Sequence, residues 1–250
     1  MVNYDKLHQQ WDCIHFDYES PTYQLRKKTI FRTLRQYVNP KNHTALDVGC
    51  GTGDYTIELA TMGFQITGID ISSYAINTAK EKCEKLGITN ACFQQTDIMS
   101  INSNQKYDFI LLSEVLEHCE DDLSIFKNLT QILNPGGYLL CSVPFDPDLW
   151  SYEDEDAGHV RRYDTEGINQ LLLKGSNVEL VEKVCYGYPL LRVMWILKRQ
   201  RKKVDTPFKG RRGSGLVRAL LKILSKFVVT FDSLKRSAKG VGIVFLVKKL

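Results

Sequence analysis

Between residues 44 and 144, short apolar runs alternate with longer stretches of helical periodicity. TALDV at 44–48, QITGIDI at 65–71, ACFQQT at 91–96, YDFILLS at 107–113 and YLLCSV at 138–143 each have the length of a strand. YDFILLS is apolar almost throughout, which predicts a central parallel strand covered on both faces. Residues 73–86 follow a helical pattern, with Ser72 or Ser73 as N-cap and Gly87 as a C-terminal stop. A further helix is expected over 121–133, where the turn Asn134-Pro135-Gly136-Gly137 ends it. This alternation predicts an α/β fold built on a doubly wound, mostly parallel sheet with right-handed crossovers.

The flanks follow different patterns. Residues 3–37 read as helical, with Leu25, Ile30, Leu34 and Val38 among the apolar positions and a dense aromatic set, Trp11, Phe16, Tyr18 and Tyr23. They form either a helix on the sheet edge or a lid over the adjoining glycine turn at 49–53. After Pro144 comes an acidic, aromatic loop over 145–163. Asp164 then caps a helix running to about Lys174, and 178–186 reads as a strand. Residues 189–203 suggest a helix with a basic end, 206–215 a Pro/Gly/Arg loop and 216–233 a long amphipathic helix. VGIVFLV at 241–247 is expected as a last, antiparallel strand at the sheet edge, beside 178–186. The organisation expected is an N-terminal helical lid (1–40), a core with its acceptor loop (41–189), a basic helical insertion (190–238) and a final core strand (239–250).

At 250 residues, with 43% hydrophobic and 25% charged residues, the chain can build one sizeable α/β core. The first residues are polar and lack an apolar core, so no signal peptide is read there, and no run is long enough to span a membrane. Seven scattered cysteines without a C-x-x-C pair read as reduced thiols, and hence a cytoplasmic location. The charge is unevenly spread. Residues 192–239 hold 15 Lys and Arg against Asp205 and Asp232, a balance of +13 in a chain of net +4, so the remainder carries −9. A basic segment on an acidic body points to an anionic partner surface.

The chemistry begins at Leu46-Asp47-Val48-Gly49-Cys50-Gly51-Thr52-Gly53-Asp54. A strand, a glycine turn and a helix N-terminus make a nucleotide-binding corner. The spacing is G-x-G-x-G, and Asp54 stands where a dinucleotide enzyme needs its third glycine. With Asp47 ahead of the glycines and Asp70 ending the next strand, the stretch resembles the S-adenosylmethionine-binding motif of class I methyltransferases. That resemblance covers about 44–144 and the last two strands, and implies the Rossmann-like fold of the family with an antiparallel last strand. It also implies S-adenosyl-L-methionine as cofactor. Asp70 would accept the ribose hydroxyls, Asp97 the adenine amino group, with Ile98 on the ring and Ser113 beside the methionine moiety. Arg26, Asp47, Gly49, Gly51, Gly53 and Ile71 complete the expected cofactor set.

Past the fourth strand, Glu114, Glu117 and His118 stand at i, i+3 and i+4, so one helical turn would point all three the same way. This E-x-x-E-H pattern resembles the metal triplet of ubiquinone-biosynthesis O-methyltransferases, and that of small-RNA 2′-O-methyltransferases, which add a downstream histidine. It implies a divalent metal on Glu114, Glu117 and His118. Read without metal, His118 is a general base, a substrate contact or a structural histidine. Gly158-His159-Val160-Arg161-Arg162-Tyr163 matches a G-H-x-R-R-Y motif of bacterial methyltransferases of sugar, polyketide and envelope pathways, and does not match the RNA enzymes. His159 joins His118 as an acid/base candidate, and Arg161, Tyr163 and Trp150 are expected at the acceptor, while Arg162 pairs within the loop with 153–156. The expected reaction is O-methylation of a small-molecule or lipid-linked hydroxyl. The alternatives are N-methylation of a small molecule or, in a different class, an RNA-binding or RNA-modifying protein. The helix over 216–233 places Arg218, Lys222, Ser225 and Lys226 on one stripe, which suits either peripheral contact with anionic membrane or packing in the core or a dimer. Few aromatics lie among these basic residues, which argues against nucleic acid. The oligomeric state is left open.

Overall fold

The computed structural model describes residues 5, 6, 9, 20–41, 43–101, 104–199, 215–234 and 237–250, with backbone alone at 198, 199 and 215–221. Trp11, Phe16 and Tyr18, the loop at 206–214, and the side chains of Lys198 to Lys203, Arg211, Arg212 and Arg218 lie outside what is described. One seven-stranded sheet runs β3-β2-β1-β4-β5-β7-β6. Its strands are β1 (Thr44–Val48), β2 (Gln65–Asp70), β3 (Ala91–Gln95), β4 (Tyr107–Ser113), β5 (Leu133–Pro144), β6 (Val178–Tyr186) and β7 (Gly242–Lys249). The first five are mutually parallel, and β7 is antiparallel to both β5 and β6. The helices are α1 (Pro21–Tyr37), α2 (Asp54–Thr61), α3 (Ser73–Lys85), α4 (Asp122–Gln131), α5 (Tyr152–Ala157), α6 (Thr165–Lys174), α7 (Leu190–Arg199) and α8 (Gly215–Ser233).

The two faces of β4 show why the sheet is covered twice. Ile110 and Leu112 join α4 and α6 in one apolar cluster, and Phe109 and Leu111 join α1, α2, α7 and α8 in another. Both sets are essentially inaccessible, as period-two alternation requires of a strand between two layers. α1 belongs to this second layer. Ser20 caps it by accepting from the Tyr23 N–H, Pro21 opens it, and Leu25, Ile30, Phe31 and Leu34 are buried. The N-terminal stretch therefore contributes a core helix; ahead of it, Asp5 accepts from Ser72, Ser73 and the Tyr74 N–H at the start of α3.

The last strand departs from expectation. β7 lies inside the sheet, and β6 takes the edge. Residues 242–247 offer no polar position to either face and are all buried, so water cannot be tolerated on either side. Glu179, Glu182 and Lys183 of β6 suit a half-exposed edge strand. Between β6 and β7, the two inserted helices share a base. The carboxylate of Asp232 in α8, 3% exposed, accepts from the Leu190 and Leu191 N–H groups that open α7, at 3.0 and 2.9 Å.

Candidate active site

At the carboxyl end of β1 the backbone turns through three left-handed glycines, Gly49, Gly51 and Gly53, at φ +69°, +52° and +85°. L-residues avoid this region. Crowding adds to the requirement, since a Cβ on Gly49 would lie 2.5 Å from Val115 Cγ2 and one on Gly53 2.9 Å from Ala79 Cβ. Asp70 then staples the turn to β2: Oδ2 accepts from the Gly51 N–H and Oδ1 from the Ser72 N–H, both at 2.8 Å. The carboxylate is thereby held in place at the carboxyl end of β2. The expected adenine acceptor, Asp97, is exposed and caps the single turn Ile98–Ser100 by accepting from the Met99 N–H. Ile98 packs on the core from there, and Ile71 is 49% exposed.

Asp47 occupies a different layer. It is 1% exposed beneath the turn and accepts from Thr56 Oγ1 at 2.6 Å, so it supports α2 from below. Burial, with a smaller push from the charge of Asp70, raises its carboxyl from 3.8 to about 7. The folded chain thus holds a proton that the unfolded chain releases near 3.8. This contribution to stability is full below the unfolded value and is lost as pH rises through the folded one. Asp47→Asn should melt higher relative to wild type at pH 8 than at pH 5, by on the order of a few kcal/mol in stability, and thermal denaturation at the two pH values reads the difference.

Arg26, from α1, reaches the same rim. It ion-pairs with Glu114 at 2.8 Å and donates from Nε to Tyr55 Oη at 3.4 Å. Ser113 Oγ lies 2.9 Å from Ser142 Oγ, which donates on to Glu114 Oε1 at 3.2 Å.

The E-x-x-E-H residues do not form the helical turn that their spacing suggests. Glu114 is left-handed, at φ +56°, and only the short 3-10 turn Leu116–His118 follows. From this kink Glu114 pairs with Arg26, and its ligand atoms are not part of the Glu117–His118 group. His159 takes the vacated position: one ligand atom each from Glu117, His118 and His159 lie within 4.8 Å of one another. The rings of His118 and His159 meet edge to face with centroids 4.8 Å apart. His118 Nδ1 faces the Gly158 carbonyl at 3.3 Å, and His159 Nδ1 faces Asp154 Oδ1 at 3.0 Å. Both partners are acceptors, so each ring carries its proton on Nδ1, and Nε2 of His159 lies 4.0 Å from Glu117 Oε1. Burial, reinforced by the His159 charge, lowers His118 to about 4, so it is neutral at ordinary pH. Burial penalises the charge on Asp154, but its hydrogen bond from His159 and the charge of Arg162 outweigh this and keep it below its usual value. Glu117 is 0% exposed with both oxygens lacking a hydrogen-bond partner, and burial together with the Glu114 charge raises its carboxyl far above the ordinary range.

The remaining motif residues mostly hold the loop. Arg161 pairs with Asp122 at 2.6 Å and donates to the Glu120 carbonyl. Tyr163 is 3% exposed and its hydroxyl donates to the same Asp122. Both line a cleft of about 230 Å³ that neither histidine borders. The hydroxyl of Tyr163, expected at the acceptor, is engaged by Asp122. Arg162, paired within the loop as expected, lies 3.6 Å from Asp154 and donates to the Leu149 and Val241 carbonyls. Trp150 is half-buried where the loop enters α5. Asp122 and the specific choice of Asp154 were not singled out from the sequence. Asp154 lay in the acidic run beside the motif, whereas nothing local marked Asp122.

A parallel sheet closed by an antiparallel last strand, with a G-x-G-x-G corner and an acid on the next strand, defines the class I methyltransferase architecture. Residues 22–183 match a family profile described as a methyltransferase domain, and the chain belongs to that family. It is 26% identical over 161 residues to a demethylmenaquinone methyltransferase of Bacillus licheniformis, covering 59% of this chain and 66% of that protein. It is 36% identical over 111 residues to a ubiquinone biosynthesis O-methyltransferase of Coxiella burnetii, covering 44% and 47%. The matched stretch thus spans less than two thirds of either relative. Among solved structures, the N-methyltransferase NodS of Bradyrhizobium japonicum, in complex with S-adenosylhomocysteine, superposes with a TM-score of 0.56 at 19% identity, over 89% of this chain and 86% of that one. Magnesium protoporphyrin IX methyltransferase of Synechocystis, with bound S-adenosylmethionine, gives 0.58 at 16% identity over 95% and 85%. At these identities the two structures establish the fold.

Proposed function

We propose that the chain transfers a methyl group from S-adenosylmethionine to a hydroxyl of a small, quinone-type phenolic acceptor carried on an apolar tail. The observation that carries this reading is the pair of features at the carboxyl edge of one sheet: the glycine corner with Asp70, and the paired imidazoles of His118 and His159. The two relatives suggest the acceptor class, since one is a demethylmenaquinone methyltransferase and the other an O-methyltransferase of ubiquinone biosynthesis.

The cofactor, when bound, supplies a methyl group already activated on a sulfonium. Gly49, Gly51 and Gly53 would let the backbone approach it, and Asp70 would accept from its ribose. Arg26 would hold its carboxylate end, and Ser113 would stand beside the methionine portion. On the acceptor side, His159 removes the hydroxyl proton at Nε2 as the oxygen advances. Asp154 holds the ring in that tautomer and offsets the imidazolium charge that forms. His118, neutral and beside it, packs its ring edge to face against that of His159. No described helix is long and apolar enough to cross a membrane, so access to a tailed acceptor is peripheral.

Cofactor binding is the direct test. Calorimetry with S-adenosylhomocysteine should show one site, and Asp70→Ala should weaken it about 10- to 100-fold, the worth of hydrogen bonds to a charged group. A chain that takes up no S-adenosylhomocysteine removes the reading.

One observation favours a second, narrower version. The two orphaned oxygens of Glu117 would be satisfied by a divalent cation shared with His118 and His159. Such a cation would acidify the acceptor hydroxyl. Zn²⁺ or Mn²⁺ titration of chelator-treated protein, followed calorimetrically, should give a site that His159→Ala loses.

A further inference from the structure

The helices inserted between β6 and β7 present more apolar surface to water than their position in the fold explains. On α8, Val228 and Asp232, each 3% exposed, face inward, and Lys28 of α1 donates to Ser233 at its end. Ile223, Leu224 and Phe227 are 65%, 50% and 58% exposed, and Leu234, just past the helix, 78%. Lys222 and Lys226 are also exposed, and helical geometry places them along the border of the Ile223–Phe227 stripe. On α7, Leu191 is buried whereas Val193 and Leu197, four apart on one side, are 52% and 63% exposed. A helix with one seated side, one exposed apolar side and a basic border is built for the boundary between headgroups and acyl chains. Charge selects among occupants. The segment 192–239 carries +13, so a second copy of the chain docking through it would be repelled, and an anionic surface attracted.

We propose that α7 and α8 form a docking surface for an anionic lipid bilayer. Leu197, Ile223, Leu224 and Phe227 enter the acyl boundary, and the lysines meet the headgroup phosphates. The surface deepens the function proposed above, because α7 is braced on the acceptor loop. Arg192 of α7 ion-pairs with Asp146, and the Arg162 guanidinium lies 4.8 Å over the Trp195 ring. Arg162 in turn approaches Asp154, the carboxylate that holds His159. Docking therefore brings the loop at 145–163 to the lipid surface, where an acceptor presents its hydroxyl to the histidines and keeps its tail in the bilayer.

Vesicle flotation of the full chain tests this. Binding to phosphatidylglycerol/phosphatidylcholine vesicles is expected, with little to phosphatidylcholine alone and a steep loss on adding salt. The pair Ile223→Asp, Phe227→Asp should lose at least about tenfold in partition, and Lys222→Glu, Lys226→Glu a comparable amount. All four positions are exposed, and unchanged S-adenosylhomocysteine affinity in the variants reports an intact fold. Equal flotation on neutral vesicles, wild-type flotation by the aspartate variant, or a solution dimer that the aspartate variant dissociates would each overturn the proposal. The titration is read separately: if the wild type binds no S-adenosylhomocysteine, the proposed activity fails and the docking surface stands on the vesicle result.

Discussion

Gly53→Ala is expected to weaken S-adenosylhomocysteine binding by at least about tenfold and to lower the melting temperature. Gly53 precedes α2 at φ +85° and ψ +12°, in the left-handed region. An L-residue there costs about 1–2 kcal/mol in backbone energy alone. The new methyl also meets Ala79 Cβ at 2.9 Å and the Phe93 ring at 3.1 Å, so α3 or β3 must move. That movement reaches the cofactor, because the start of α3 is joined to Asp70 through the Ser72 N–H. Gly63→Ala is the control. Gly63 has φ +107° but nothing within 4 Å of an added Cβ. It should lower stability through backbone strain and leave affinity unchanged. Equal loss of affinity in the two variants would show that the turn does not act through this geometry.

The second large effect concerns the acceptor side. His159→Ala should lower the rate of methyl transfer to a phenolic acceptor by about 10²–10⁴, the range for a positioned general base. Cofactor affinity should hold. Asp154→Asn should cost less, because it leaves the imidazole present but removes the charge that fixes its tautomer and balances Arg162. Full activity of His159→Ala would instead favour an amine acceptor, which loses its proton without a strong base.

Much of this architecture was legible because it depends on local chemistry. Three glycines at a spacing of two mark a backbone that must turn left-handed, and each of the three does. Asp70 could be found because a strand ending in an acid about one βα unit past such a turn has few other uses. The alternation around β4 announced burial on both faces. The misreadings share a physical cause. The spacing of Glu114, Glu117 and His118 yields one helical face only if the backbone is helical, and Glu114 is left-handed, a conformation that no residue pattern marked. Asp122 sits 41 residues from the tyrosine it anchors, so only the tertiary fold assembles that contact. The strand at 241–247 was recognised as antiparallel and beside 178–186, but it was read as the edge, because its second neighbour, β5, is set by long-range pairing.

The placement of β7 also dictates an order of events during synthesis. β5 and β6 are separated in the sheet by a strand made only after residue 241. Until residue 249 emerges, Leu140, Cys141 and Val143 face an open slot where β7 belongs, and β6 has no strand partner at all. The parallel half of the sheet can form first, but the acceptor half must wait, held open by missing hydrogen bonds. A nascent chain stalled before residue 242 should therefore expose an unpaired, apolar strand edge, and chaperone binding or proteolysis at β5 and β6 should fall abruptly once β7 is released.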